Sequence, residues 1–216
     1  INSRMVLLAD LNLGHMDSVR FDCRVADALG RHEGETWPAP NSIDYIFTNP
    51  PFGIYVDSDT VASLGLLTAR NGGNRLQSEV LFLERCLRWL RPGGTLSIVV
   101  PRSVLTNASL DSAREVLDGL GVLRGVINLP PETFATTGTQ TNTCVLFIEK
   151  REPGEIEDTT QSVHVIDVTN VGFDSTGRSR QGNQLPQVGA SMNNALSARA
   201  VDPTVTNISV SSMETI

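Results

Sequence analysis

Ile43-Asp44-Tyr45-Ile46-Phe47-Thr48-Asn49-Pro50-Pro51-Phe52 is the stretch on which the reading of this chain turns. Its first six residues are mostly apolar, β-branched or aromatic and predict a buried strand. The tetrapeptide then stops it. Proline fixes φ at about −65° and has no amide hydrogen, and the residue before a proline is driven to extended geometry. The expected product is a rigid turn at the strand's C-terminal end. It presents the Asn49 amide, carbonyls without nearby amide donors, and the Phe52 ring. The amide oxygen and a proline-flanked carbonyl can accept from an exocyclic amine, while the ring stacks on a flat face. A nucleobase amine is such a ligand. Asn-Pro alone is also an ordinary tight turn. The preceding strand, the second proline, the aromatic and the surrounding pattern favour the binding reading.

Downstream, strands and helices alternate. Ser78 to Arg91 predicts a helix, with Val80, Leu83, Leu87 and Leu90 on one face and Pro92-Gly93-Gly94 as its stop. Thr95 to Val100, Leu123 to Leu129, Thr143 to Lys150 and Val163 to Val168 read as strands, and Ser109 to Leu120 as a second helix. Upstream, Arg4 to Asn12 reads as the end of a helix and Arg20 to Val25 as a short strand. Gly53 to Arg75 shows little periodicity and suits a lid, a binding loop or disorder. The alternation predicts an α/β fold with a mostly parallel sheet flanked by helices. Two segments are expected: residues 1–150, the α/β domain, and 151–216, an extension with one strand and then irregular or partly disordered chain.

Composition bounds the function. The chain has 216 residues and 40% hydrophobic content, enough for a core. Its apolar runs are too short to span a membrane, and no signal segment opens it. Three cysteines without a CxxC pair indicate neither a disulfide framework nor a zinc site and suit a reducing cytoplasm. His15, His32 and His164 have no metal-binding spacing, so no metal is assigned. A net charge of −7 argues against strong autonomous nucleic-acid binding. It leaves DNA open as a substrate if other subunits carry the phosphate contacts.

In parallel α/β sheets, ligands bind at the carboxyl ends of the strands. Asp27 and Asn49 to Phe52 both follow predicted strands and would share that rim. Asp27 could accept from the adenine amine of a nucleotide-like cofactor; on its own it equally suits a helix N-cap or turn. Arg102, just after Pro101, could touch a substrate phosphate or stand as a solvated charge. Thr136 to Thr141, which includes Thr139, is a polar loop that fits either a substrate contact or a simple connection between strands.

Beyond the tetrapeptide, an ordered series continues: Leu90-Arg91-Pro92-Gly93-Gly94, Ile98-Val99-Val100-Pro101, Val126-Ile127-Asn128-Leu129-Pro130, Phe134, Thr137-Gly138-Thr139, Thr141-Asn142-Thr143, then Val171-Gly172-Phe173-Asp174 and Asn183-Gln184-Leu185-Pro186. Over residues 1 to about 190 the chain resembles the N6-adenine DNA methyltransferases, in particular the methylation subunits of type I restriction-modification systems. The resemblance implies a partial Rossmann-like methyltransferase fold using S-adenosyl-L-methionine, with 1–150 as the C-terminal portion of the catalytic domain. It implies that Asn49 and the Pro50 carbonyl hold the N6 amine of a flipped adenine, that Pro51 completes the turn, and that Phe52 stacks on the base. Asp27 and Ala28, with Asn49, fall on the cofactor side. Arg102 and Thr139 fall, with Phe52, on the substrate side. The implied partners are DNA and the specificity and restriction subunits or domains of the same system, in the cytoplasm, with no membrane.

One feature departs from the family pattern. The Gly-rich cofactor loop lies upstream of the segment matching Ile1 onward, and Gly72-Gly73 and Gly93-Gly94 do not replace it. The expectation is a fragment with little or no methylation activity alone. Two alternatives stay open. One is methylation of another planar amine, an RNA guanine amine or a protein glutamine amide. The other is a non-catalytic assembly module that keeps the fold.

Overall fold

The structure, a computed structural model, describes residues 23, 26–29, 38–57, 61, 75–137, 141–155 and 163–201. The chain divides into two compact units, 1–36 and 37–216. The helix expected at Arg4 to Asn12 lies outside the described residues, as does all but Cys23 of the strand expected at Arg20 to Val25.

In the larger unit the Ile43 stretch forms β1 (Ile43–Thr48). A short antiparallel pair follows, β2 (Tyr55–Asp57) and β3 (Arg75–Gln77), at the two ends of the segment read as a loop. Helix α1 (Ser78–Trp89) comes next. Its apolar stripe buries Val80, Leu83, Cys86 and Leu87, as the 3.6-residue spacing dictates. Lys150 Nζ donates to Leu87 O at 2.8 Å, meeting one of the carbonyls a helix end leaves unpaired. Then come β4 (Leu90–Pro101), the short α2 (Ser103–Thr106), α3 (Asp111–Leu120), β5 (Gly121–Leu129), a 3-10 segment at Pro131–Thr137, and β6 (Thr143–Lys150). The chain ends its described course with β7 (His164–Asp167) and α4 (Leu185–Val201).

The main sheet has five strands in the order β1-β4-β6-β5-β7. β1 lies parallel to β4 and β7 parallel to β5, while β6 is antiparallel to both of its neighbours. Crossovers through α1 and through α2–α3 keep β1, β4 and β5 in one direction. Among the described residues the β5–β6 link holds the 3-10 segment and no crossover helix, and β6 runs the other way. Leu87, Leu90, Leu96, Ile98, Val100, Val126, Leu146 and Ile148 close the core between the sheet and α1. Each such aliphatic side chain contributes about 1.5–3 kcal/mol on burial.

Two expectations change. β1, expected as a buried strand, ends the sheet among the described residues. Ile43 and Ile46 pack on the core, whereas Tyr45 is 65% and Phe47 77% exposed. The irregular tail expected after Val171 instead holds α4. That helix carries a narrow stripe, Val188, Met192 and Leu196, and packs it on Ile127, Leu129, Val168 and Val171. A stripe this thin suffices because the receiving surface is already built. The loop before α4 is hydrogen-bonded by its own side chains. Gln184 Oε1 accepts from Thr169 N at 2.8 Å and Asn170 N at 3.0 Å, and Asp174 Oδ1 accepts from Thr176 N at 2.9 Å. Among the described residues no helix is long and apolar enough to cross a membrane.

Candidate active site

The carboxyl ends of β1, β4 and β5 and the start of β6 form one rim. Thr48 pairs with Ile98 in the parallel ladder, and β4 runs on to Pro101, which lies opposite Thr143 of β6. Asn49 to Phe52 leave β1 at this rim. Asn49 is exposed, Pro50 buried, Pro51 exposed and Phe52 half-buried. Pro50 thus plugs the turn into the protein while the Asn49 amide faces out.

The turn is held from the start of α1. Ser78 Oγ donates to Pro51 O at 2.9 Å. Gly53 N donates to both carboxylate oxygens of Glu79, at 3.3 and 3.2 Å. Gly53 has φ +66°, a left-handed conformation that side-chain-bearing residues rarely adopt. The carbonyls of the tetrapeptide are therefore not equivalent. Pro51 O is occupied, whereas among the described residues the Asn49 amide and the Pro50 carbonyl make no hydrogen bond. Reading the sequence missed Ser78 and Glu79. Placed at a helix start they look like capping residues, and nothing local shows that they face the turn.

Phe52 meets Phe134 of the 3-10 segment edge to face, with ring centroids 5.8 Å apart at 86°. The β5–β6 connection thus borders the tetrapeptide. Arg102 follows β4 on the same rim. Its backbone N donates to Asn142 O at 2.9 Å, and among the described residues its guanidinium has no ion pair. It lies near Cys144, whose thiol burial pushes up to about 12, with Arg102 offsetting part of the rise. Burial raises Cys86 likewise to about 12. Cys144 therefore stands beside the rim as a neutral thiol, unsuited to nucleophilic attack at pH 7.

Thr139 lies outside the described residues. Asp27 and Ala28 belong to the N-terminal unit, in a turn where Leu29 N donates to Asp27 Oδ1 at 3.1 Å. The Asp27 side chain is exposed and Ala28 is half-buried. Among the described residues no group of His, Cys, Asp and Glu could hold a metal ion.

Asn49 and Pro50 offer two oxygens that only accept, next to an aromatic residue, on a rim that also carries Arg102. That arrangement suits a planar amine attached to a phosphate-bearing chain.

Comparison with known proteins identifies the family. The N-6 DNA Methylase family matches residues 1–188. The methylase subunit of the type I restriction enzyme StySPI from Salmonella potsdam is 29% identical over 169 residues, covering 75% of this chain and 28% of that protein. The methylase subunit of EcoKI from Escherichia coli is 28% identical over the same length, with the same coverage. The chain therefore spans about a quarter of the curated relatives it matches. Among solved structures, the methyltransferase subunit of a type I restriction-modification system from Streptococcus thermophilus aligns with a TM-score of 0.64 at 21% identity. That alignment covers 91% of this chain and 40% of the other.

Proposed function

The chain belongs to the N-6 DNA methylase family, and on that premise we propose that it is the substrate-holding part of a DNA adenine-N6 methyltransferase of a type I restriction-modification system. The observation that supports the reading best is the exposed Asn49 amide, unpaired among the described residues, beside the Pro50 carbonyl at the end of β1. An amine that donates its two hydrogens to these oxygens keeps its lone pair directed away from them, toward an electrophile. The Phe52 ring gives a flipped base a face to stack on, since enzymes that modify a base must extrude it from the duplex. Arg102 offers a phosphate contact, and Thr139 is proposed as a further substrate contact.

S-adenosyl-L-methionine, when bound, would supply a methyl group on a sulfonium sulfur. The chemistry of the described residues fits it: in the N-terminal unit the exposed Asp27 carboxylate suits an adenine amine beside the small Ala28, and in the larger unit the Asn49 amide suits a polar edge of the cofactor. The remaining contribution is alignment, which can supply about 7–11 kcal/mol of a barrier without a protein nucleophile.

DNA and the specificity and restriction subunits are the proposed partners, because the relatives are methylase subunits of type I restriction enzymes. The net charge of −7 agrees with DNA contacts supplied largely by such partners. A cytoplasmic location is proposed from the three free cysteines. The family and its relatives favour DNA adenine over an RNA guanine amine or a protein glutamine amide. The test is methyl transfer to DNA by the full-length protein assembled with its partner subunits. Asn49→Ala is expected to lower transfer at least 100-fold with cofactor binding near normal. Transfer that survives the substitution overturns the role of Asn49. A wild-type assembly that never methylates adenine favours the non-catalytic module.

A further inference from the structure

We propose that Glu79 is a positioning residue for the reaction, a buried carboxylate that sets the aim of the Asn49 and Pro50 acceptors by holding the peptide on the far side of Phe52. The proposal rests on the methyl-transfer reading above.

Glu79 is 0% exposed, in the first turn of α1. A first-turn glutamate that serves only its helix normally stays in water, where the helix dipole still rewards it. Burial of such a group is costly unless its oxygens are satisfied. Among the described residues Glu79 has no cationic partner. Its contacts are Gly53 N, 26 positions back in the chain, at 3.3 and 3.2 Å, and the Ser78 hydroxyl at 3.3 Å. The carboxylate is thus spent on the turn.

Adjacent peptide groups are clamped in series. The rings of Pro50 and Pro51 fix two φ angles. Ser78 Oγ, at 2.9 Å from Pro51 O, fixes the Pro51–Phe52 peptide. Glu79 fixes the Phe52–Gly53 peptide through its N–H. Gly53 sits at φ +66° with nothing within 4 Å of where a Cβ would stand, so conformation and not space demands glycine there. With these restraints the turn has one conformation, and Asn49 and Pro50 are presented in one direction. The Glu79 bond is the only one of them that a side chain without a ring or a hydroxyl supplies, and it is the one that holds the left-handed residue.

The experiment is single-turnover methyl transfer by the full-length assembly, with 2-aminopurine fluorescence at the target base and a melting curve for each variant. Glu79→Ala is expected to lower kcat about 100-fold, the scale of a roughly 1 Å misplacement, with KM for DNA and cofactor within about threefold. The flipped-base fluorescence changes as the base seats differently on Phe52. Glu79→Gln keeps an oxygen to accept from Gly53 and restores kcat to within about tenfold of wild type. If Glu79→Ala does not fold, Glu79→Gln decides: a measurable fall in kcat, within that tenfold, with an altered flipped-base fluorescence and an unchanged melting temperature supports the proposal. Melting changes with kcat and fluorescence left at wild-type values overturn it and leave Glu79 a stabiliser of α1. A wild-type assembly that transfers no methyl group defeats the functional reading and takes this proposal with it.

Discussion

Phe52 and Phe134 meet edge to face at 5.8 Å, joining the turn after β1 to the connection between β5 and β6. Phe134 also packs on the cluster that α4 closes, so the turn is tied to the far half of the sheet. Aromatic pairs of this geometry contribute about 0.5–1.5 kcal/mol beyond the area they bury. A double-mutant cycle with Phe52→Leu and Phe134→Leu, read by urea unfolding, is expected to give a coupling of that size. Additive losses would show that the rings pack independently.

Gly125 lies under Met192. A Cβ there would stand 2.6 Å from Met192 Sδ and 3.0 Å from Met192 Cε. Met192 is 1% exposed and has little room to retreat. Gly125→Ala should therefore push α4 off β5 and cost about 1–3 kcal/mol. Met192→Ala removes the clash, so adding Gly125→Ala to that variant should cost far less. Equal costs in the two backgrounds, measured by thermal melting, would rule out the contact as the cause.

Cys86 and Cys144 give stability a defined alkaline dependence. Their thiols are held up to about 12 in the fold, against an ordinary value of 9.0. A raised value means that the stabilisation is complete below pH 9 and is lost as pH climbs toward 12, because only the unfolded chain can ionise freely. The slope is up to about 1.4 kcal/mol per pH unit for each thiol. Lys150 acts in the opposite sense. Burial, with Arg88 nearby, lowers it from the ordinary lysine value, so its contribution improves as pH rises and it loses its proton. Urea midpoints between pH 8 and 10.5 should fall less steeply in Cys144→Ala than in the wild type; parallel slopes would sink the assignment.

Thr143 opens β6 fully buried, and among the described residues its hydroxyl makes no hydrogen bond. A buried hydroxyl without a partner carries its desolvation cost uncompensated, about 1–3 kcal/mol. Thr143→Val keeps the shape and removes the oxygen. The variant is expected to melt at or above the wild-type temperature, and a clear drop would reveal a partner for the hydroxyl.

The sequence by itself determined the strand before Asn49, the turn, α1, α3 and the remaining strands of the sheet. Periodicity and proline or glycine punctuation are properties of neighbouring residues, and they need no knowledge of what lies across the fold. Asn49, Pro50, Phe52 and Arg102 were legible as rim residues for the same reason, each following a strand. Tertiary structure decided the rest. β1 became half-exposed because its place in the sheet leaves it one packed face. β6 reversed because, among the described residues, the link before it holds no helix long enough to cross over. α4 escaped notice because a stripe as thin as Val188, Met192 and Leu196 has meaning only against the surface formed by Ile127 and Val171. The clamp of Ser78 and Glu79 on the turn was invisible for a related reason. A hydrogen bond between Gly53 and Glu79 depends on where β1 and α1 come to lie, and no local pattern records that distance.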